Sequence, residues 1–315
     1  MSVDRPVLGI GLMLGFCIVA PMGDAVAKLL GESLPIGILL FVRFLVQVLI
    51  LVPLIALTGR HWRMNRRVLR LTVVRTILHI VGIGAMFTAL QYLPLADAVA
   101  IAFVMPFIML LLGRFVLDEE VGARRLIACG VGFIGTLLVI QPSFAAVGWH
   151  ALWPLVVAVT FSLFILVTRQ IAKDTDPIGL QAVSGVMAVT VLGPALIIGN
   201  LLGIAPLEIV SPEASEWSLL LAIGVLGTFA HLLMTWSLRY APAATLAPMQ
   251  YLEIPIATLI GWAVFGDLPN NLAAVGIVIT ISSGLYIVMR ERATAREAAR
   301  QQATGPRVQG GVAAE

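Results

Sequence analysis

Long apolar runs separated by short polar connections organise this chain. A bilayer core about 30 Å thick needs about 20 apolar residues of helix to cross it. On that criterion the pattern predicts ten helical spans, at 6–29, 34–58, 71–92, 95–115, 124–141, 151–170, 178–202, 217–238, 242–265 and 271–289. Polar residues collect between the spans, as in the connection holding Arg60, Arg63, Arg66, Arg67 and Arg70. After Glu291 the chain turns polar and rich in Ala, Arg, Gln and Gly, which predicts a frayed helix passing into disorder. Pro106 and Pro255 fall inside apolar spans. Proline has no backbone N–H to donate, so a helix break is expected at each.

The pattern repeats. Tyr92-Leu93-Pro94 returns as Tyr240-Ala241-Pro242, Pro106 as Pro255 and Asp118 as Asp267. The offset is 148 at the first proline (242 − 94) and 149 at the second and at the acid (255 − 106, 267 − 118), so one residue is gained between them. Pro35-Ile36-Gly37 returns as Pro177-Ile178-Gly179 at an offset of 142. Two halves follow, 1–141 and 151–290, with residues 291–315 as a tail. Each half holds five spans, an odd number, so the second copy must enter the membrane from the opposite side. The expected fold is an all-α integral membrane protein of ten transmembrane helices in two inverted five-helix repeats.

Composition agrees with the pattern. Apolar residues make up 60% of the 315 and charged residues 12%, and the mean hydropathy is +1.02. A soluble domain carries about twice that share of charge. The pI of 9.2 invites a nucleic-acid reading, because clustered arginine is the usual footprint of phosphate binding. Here the basic residues sit in short connections and orient the chain instead. One side of the bilayer collects Arg5, Arg60, Arg63, Arg66, Arg67, Arg70, Arg114, Arg124, Arg125, Arg169, Lys173, Arg239, Arg290, Arg292, Arg296, Arg300 and Arg307, which is 17 of the 20 Lys and Arg. By the positive-inside rule both termini are cytoplasmic, in a bacterial-type inner membrane. Trp149, Trp153, Trp217 and Trp262 fall at the opposite interface. Arg5, the apolar run after it and Ala25-Val26-Ala27 imitate a cleavable signal peptide. Cleavage would remove the counterpart of span 6, so the segment is read as a retained span. Cys17 and Cys129 lie within spans and imply neither a disulfide framework nor a metal site.

The run Leu93-Pro94-Leu95-Ala96-Asp97-Ala98, then Phe103 to Pro106, the acids Asp118-Glu119-Glu120 and Arg124-Arg125 resembles the EamA domains of the drug/metabolite transporter superfamily. Gly132-Phe133-Ile134-Gly135-Thr136-Leu137-Leu138-Val139 closes a half as in that family, and the resemblance covers residues 7 to 290. The second half departs at Gly266-Asp267-Leu268-Pro269, where a glycine-glutamate pair is common, which leaves the role of that acid open. The resemblance implies alternating access to a central cavity between the halves, moving organic solutes. The family holds exporters and importers, so substrate and direction stay open.

An ionisable side chain at bilayer depth costs at least about 2.5–3.5 kcal/mol, which makes each one a functional candidate. Arg43 stands nine residues past Leu34, roughly 13 Å into its span, and Glu253 stands eleven past Pro242. They are either a substrate and coupling pair or a structural ion pair. Asp24 and Lys28 are four apart on one helix face; Asp24 is the deeper, while Lys28 is placed to snorkel to the interface. His79 and His231 occupy corresponding spans, as proton-handling groups or as hydrogen-bonded packing. Gln250 and Tyr251 lie beside the expected break at Pro255, and Phe103 beside that at Pro106. Arg75, one turn into span 3, is expected at the cytoplasmic interface. Met86, Phe87, Phe103, Met105, Phe107 and Tyr251 would line an aromatic, polarisable cavity if they face inward.

Gly130-Val131-Gly132-Phe133-Ile134-Gly135 spells G-x-G-x-x-G, but no strand precedes it and a helix runs through it, so no dinucleotide site is read. Small residues at Ala128-Gly132-Thr136 and Gly276-Thr280-Gly284 suit close helix packing and are candidate faces for a homodimer. The polar groups are scattered singly across the spans, without the clustered acid, nucleophile or metal set that a membrane-embedded enzyme needs. No catalytic residue, metal or cofactor is expected. The expected activity is carriage of a small organic metabolite, such as an amino acid, vitamin or cofactor-like molecule, by a proton-coupled or exchange mechanism, with the lipid bilayer as surroundings and no nucleic-acid partner. The alternative is a non-transport scaffold or receptor, which predicts no flux.

Overall fold

The computed structural model describes residues 5–60, 62–116, 123–283, 285–286 and 289. Among these residues every regular element is helical. In chain order they are α1 (Pro6–Leu30), α2 (Ile36–Thr58), α3 (Arg66–Leu90), α4 (Leu95–Ala102), α5 (Met105–Val116), α6 (Ala123–Val147), α7 (Trp153–Ile171), α8 (Pro177–Leu201), α9 (Glu216–Tyr240), α10 (Ala243–Gln250) and α11 (Glu253–Phe265), followed by α12 (Asn271–Ser283). Among the described residues six stretches are long and apolar enough to cross a bilayer: Val7–Leu30, Ile36–Thr58, Arg66–Leu90, Gly130–Ile171, Pro177–Leu201 and Glu216–Tyr240. This is a multi-pass membrane protein.

Helix ends follow local chemistry. Asn65 accepts from the Val68 amide at 2.8 Å and starts α3 five residues before the apolar run begins. Asp176 does the same for α8 through Gly179 at 3.1 Å. Gly59 and Gly266, with φ of 63° and 71°, end α2 and α11 in the left-handed conformation that other residues resist. In α6 the helix runs through Pro142 to Val147, six residues past the predicted end. Ser143, the next residue, is buried and bonds Val139 O and Asp97, so tertiary contacts hold the turn that proline weakens.

The two expected breaks occur, each just ahead of its proline. Between α4 and α5, Phe103 N and Val104 N bond to the carbonyls three residues back, of Ala100 and Ile101. Between α10 and α11, Leu252 N bonds Met249 O, and Ile254 N reaches Tyr251 O, the carbonyl that Pro255 leaves without its usual donor. These are 3₁₀-like offsets in otherwise helical chain. Both half-helices before the break have eight residues, and both pairs of starts keep the offset of 148 (243 − 95, 253 − 105), so the gained residue lies between the second break and Pro255.

Helices pair across the chain. α1 packs along α9, α3 along α7, α2 against α8 and α4 against α11. At the end of the bundle that holds Arg5, its amide bonds Tyr240 O at 3.1 Å, Ser237 bonds Gly9 O, and Arg60 pairs with Asp176 at 2.9 Å. At the opposite end Lys28 pairs with Asp267 at 2.8 Å, Gln91 bonds Gly31 O, and Ser33 bonds Glu216. Lys28 is therefore held by an acid of the second half rather than reaching freely to the interface.

The small-residue stripes face each other within one chain. Thr280 bonds Gly132 O, Ser283 bonds Ala128 O, and a Cβ on Gly276 would come within 2.4 Å of Gly135 O. Their closeness is used to join α6 to α12, and Gly284 lies outside the described residues. Asp118, Glu119, Glu120 and the tail from residue 290 also lie outside them, as do the side chains of Pro106, Arg124 and Arg125.

Candidate functional site

A cavity of about 90 Å³ lies between the halves where the two broken helices meet, and its walls come from α1, α2, α3, α4, α5, α7, α9, α10 and α11. That is room for several waters. Six of the residues singled out in the sequence line it: Asp24, Arg43, Phe103, His231, Gln250 and Glu253. Met86, Phe87 and Met105 line it too, with Phe16 and Phe161. Phe107 does not; it stacks on Phe133 at 6.1 Å. Tyr251 and His79 stand one layer behind the wall, Tyr251 with its ring 5.3 Å from Phe103 and His79 with its ring 4.3 Å from His231. Pro106 and Pro255 act through the backbone, as the second residue of α5 and the third of α11.

Arg43 is buried and faces α9. Its Nη2 lies 3.0 Å from His231 Nδ1, and the same nitrogen lies 2.9 Å from Gly227 O. One ring nitrogen cannot serve both. With a proton it donates to Gly227 O and confronts the arginine; without one it accepts from Arg43 and turns a lone pair on the carbonyl. The guanidinium fits because residue 227 is glycine: a Cβ there would stand 2.7 Å from Arg43 Nε. Arg43 Nη1 has no hydrogen-bond partner among the described residues.

Of the two readings of Arg43 and Glu253, the structural ion pair is not formed among the described residues. Among the described residues the salt bridges are Lys28–Asp267, Arg60–Asp176 and Arg67–Asp174. Asp24 lines the same cavity as both Arg43 and Glu253. The site thus holds one fixed cation and two carboxylates on one small cavity. His79 is buried against Phe44, Phe164 and His231, and among the described residues neither of its nitrogens has a hydrogen-bond partner. Among the described residues no three His, Cys, Asp or Glu side chains are grouped to hold a metal ion.

Arg75 is not at an interface. It is fully buried, donating to Thr168 at 2.8 Å, Ser184 at 2.7 Å and Gln181 at 2.9 Å, with its guanidinium 4.4 Å from the Phe164 ring centre. The correction follows from the capped start of α3 at Arg66, which puts Arg75 nine residues, roughly 13 Å, along the helix. It ties α3 to α7 and α8 and does not line the cavity. Asp97 belongs to the run Leu93-Pro94-Leu95-Ala96-Asp97-Ala98. In the structure it is buried in the first turn of α4, with Oδ2 accepting from Ser143 at 3.1 Å and Oδ1 without a partner among the described residues. Its signal was an acid directly after Pro94-Leu95-Ala96 in an apolar run.

The profile of the EamA-like transporter family matches residues 7–141 and 148–289. The chain is 27% identical over 266 residues to the riboflavin transporter of Brucella anthropi, covering 84% of this chain and 92% of that one. It is 23% identical over 275 residues to the S-adenosylmethionine uptake transporter of Rickettsia prowazekii, covering 87% and 90%. To the pseudopaline exporter of Pseudomonas aeruginosa it is 24% identical over 260 residues, covering 82% and 88%. One solved crystal structure superposes with a TM-score of 0.67 at 17% identity, covering 91% of this chain and 98% of its own.

Proposed function

We propose that this chain, which belongs to the EamA-like transporter family of the drug/metabolite transporter superfamily, is a secondary transporter that carries a small organic metabolite through the Arg43–Glu253 cavity by alternating access. The observation that carries the reading is the placement of one cation and two carboxylates on a single cavity at the meeting point of both broken helices. Charges at such depth are expensive, and those that face a cavity mark solute and ion pathways.

Ten transmembrane helices in two inverted repeats, 1–141 and 151–290, are the frame for this cycle. Exchange of the halves carries the α1–α9 pairing onto α7–α3, and it carries Phe103 onto its ring neighbour Tyr251 at the offset of the repeat (251 − 103 = 148). Residues related in this way meet only near a two-fold axis, and repeat transporters bind their solutes there. The Arg5 end is cytoplasmic by its arginines.

The solute has an aromatic ring. Phe16, Phe87, Phe103 and Phe161 give the cavity an aromatic lining, and the relatives named for riboflavin and S-adenosylmethionine handle molecules built on fused nitrogen heterocycles. Glu253 carries the coupling proton. It begins α11 at the break, and Asp24 supplies a second carboxyl group on the same cavity.

Glu253→Gln keeps the shape and removes the titration. In proteoliposomes the variant should lose net flux driven by a pH gradient, by tenfold or more, and keep exchange at equal solute concentrations. Accumulation that still follows the pH gradient in Glu253→Gln would remove Glu253 from the coupling role.

A further inference from the structure

We propose, resting on the transporter reading of this cavity, that Gln250 reads the hydrogen-bonding edge of a planar nitrogen heterocycle, one that presents a donor and an acceptor side by side. Such an edge is the N–H and C=O of a ring imide or the ring nitrogen and amino group of an aminopyrimidine.

Gln250 is the last residue of α10, is 1% exposed, and lines the cavity. Neither its Oε1 nor its Nε2 has a hydrogen-bond partner among the described residues. A carboxamide carries an acceptor and a donor on one planar group. Burying both without partners is unfavourable, and on a cavity wall a ligand can supply the partners.

The repeat shows that the fold does not require this side chain. The residue corresponding to Gln250 is Ala102 (250 − 148), which ends α4 as Gln250 ends α10. An alanine closes the first half-helix; the amide of the second is surplus to the break. It is therefore a feature of one side of the site, where the bound solute itself is asymmetric.

The surroundings choose the ligand. Phe103 is on the facing break and Phe16 on α1, both on the cavity wall. Their rings supply flat apolar faces, and the carboxamide supplies a coplanar pair of hydrogen bonds at the edge. The same two-point pairing lets glutamine pick one base edge from others in nucleic acids. A flexible aliphatic solute would leave the amide unmatched.

The test compares parent rings with edge-blocked ones on the purified full-length protein. The probes are riboflavin against 3-methylriboflavin, and adenosine against N6,N6-dimethyladenosine, with affinity read by thermal shift and by equilibrium binding. At least one parent should bind about tenfold or more tightly than its methylated derivative. Gln250→Leu should bring that parent down to the level of the derivative and leave the derivative unchanged. Phe103→Leu should weaken both members of the pair alike.

Equal affinity for parent and derivative in the unmodified protein overturns the proposal, as does a preference that survives Gln250→Leu. Should Gln250→Leu fail to fold, Gln250→Met replaces it with a side chain of matching length, and the same outcomes decide. If no heterocycle binds while proteoliposomes carry another metabolite, edge reading fails and the transporter reading stands. If no solute of a broad metabolite panel is carried, both fail.

Discussion

The pocket of Arg43 is made by the absence of a methyl group on α9. With a Cβ at residue 227 standing 2.7 Å from Arg43 Nε and 3.0 Å from Cζ, Gly227→Ala must push the guanidinium away from His231. Overpacking of this kind costs about 1–3 kcal/mol, and the misplaced cation should lower transport about tenfold or more while folded yield falls only slightly. Gly11→Ala, at a position with nothing within 4 Å, is the control and should change neither. Normal transport by Gly227→Ala, measured in the same vesicles, would mean that Arg43 does not need its present position. Arg75 makes the contrast at this scale. Each of its three guanidinium nitrogens has a partner, in Thr168, Ser184 and Gln181, whereas among the described residues Arg43 Nη1 and both amide atoms of Gln250 have none. Charged residues in apolar spans were visible from the sequence because polarity alone marks them. Gly227 and the contact between His79 and His231 were not, since nothing along one helix says what another helix brings to it.

At the scale of helices the sequence carried most of the fold. The predicted spans agree with the described helices within a few residues at most ends, because bilayer thickness and hydropathy set both. The disagreements have local causes: Asn65 caps α3 before the apolar run starts, and Ser143 carries α6 past Pro142. The prolines did announce the two breaks, yet each break falls ahead of its proline, because the residues just before it take up bonds to carbonyls three back. The connections carry a claim of their own. If arginine in the 60–70 connection holds that end in the cytoplasm, a cysteine at Glu213, between α8 and α9, should react with an impermeant reagent in intact cells. One at Arg63 should react only after the cells are opened. Reversed labelling would invert the orientation of the whole bundle.

At the scale of the molecule, both ends of the bundle are fastened across the halves, and the cavity lies between. Toward the Arg5 end, Met13, Met109, Leu238, Ala243 and Leu246 pack into one apolar cluster below Gln250. Toward the other end, Lys28 and Asp267 join α1 to the chain after α11. A solute can leave the cavity in both directions only if each fastening opens in turn, and packed clusters of this kind switch between discrete arrangements rather than stretch. The direct measurement is flux through protein whose Arg5 end is locked. A Cβ on residue 9 would stand 2.7 Å from Ala241 Cβ, near enough to the roughly 3.5–4.5 Å of a disulfide for Gly9→Cys and Ala241→Cys to be joined with a small shift. With Cys17 and Cys129 replaced by alanine, oxidised protein in proteoliposomes should carry no solute, and reductant should restore flux. Undiminished flux with the cross-link fully formed would contradict alternating access through this cavity.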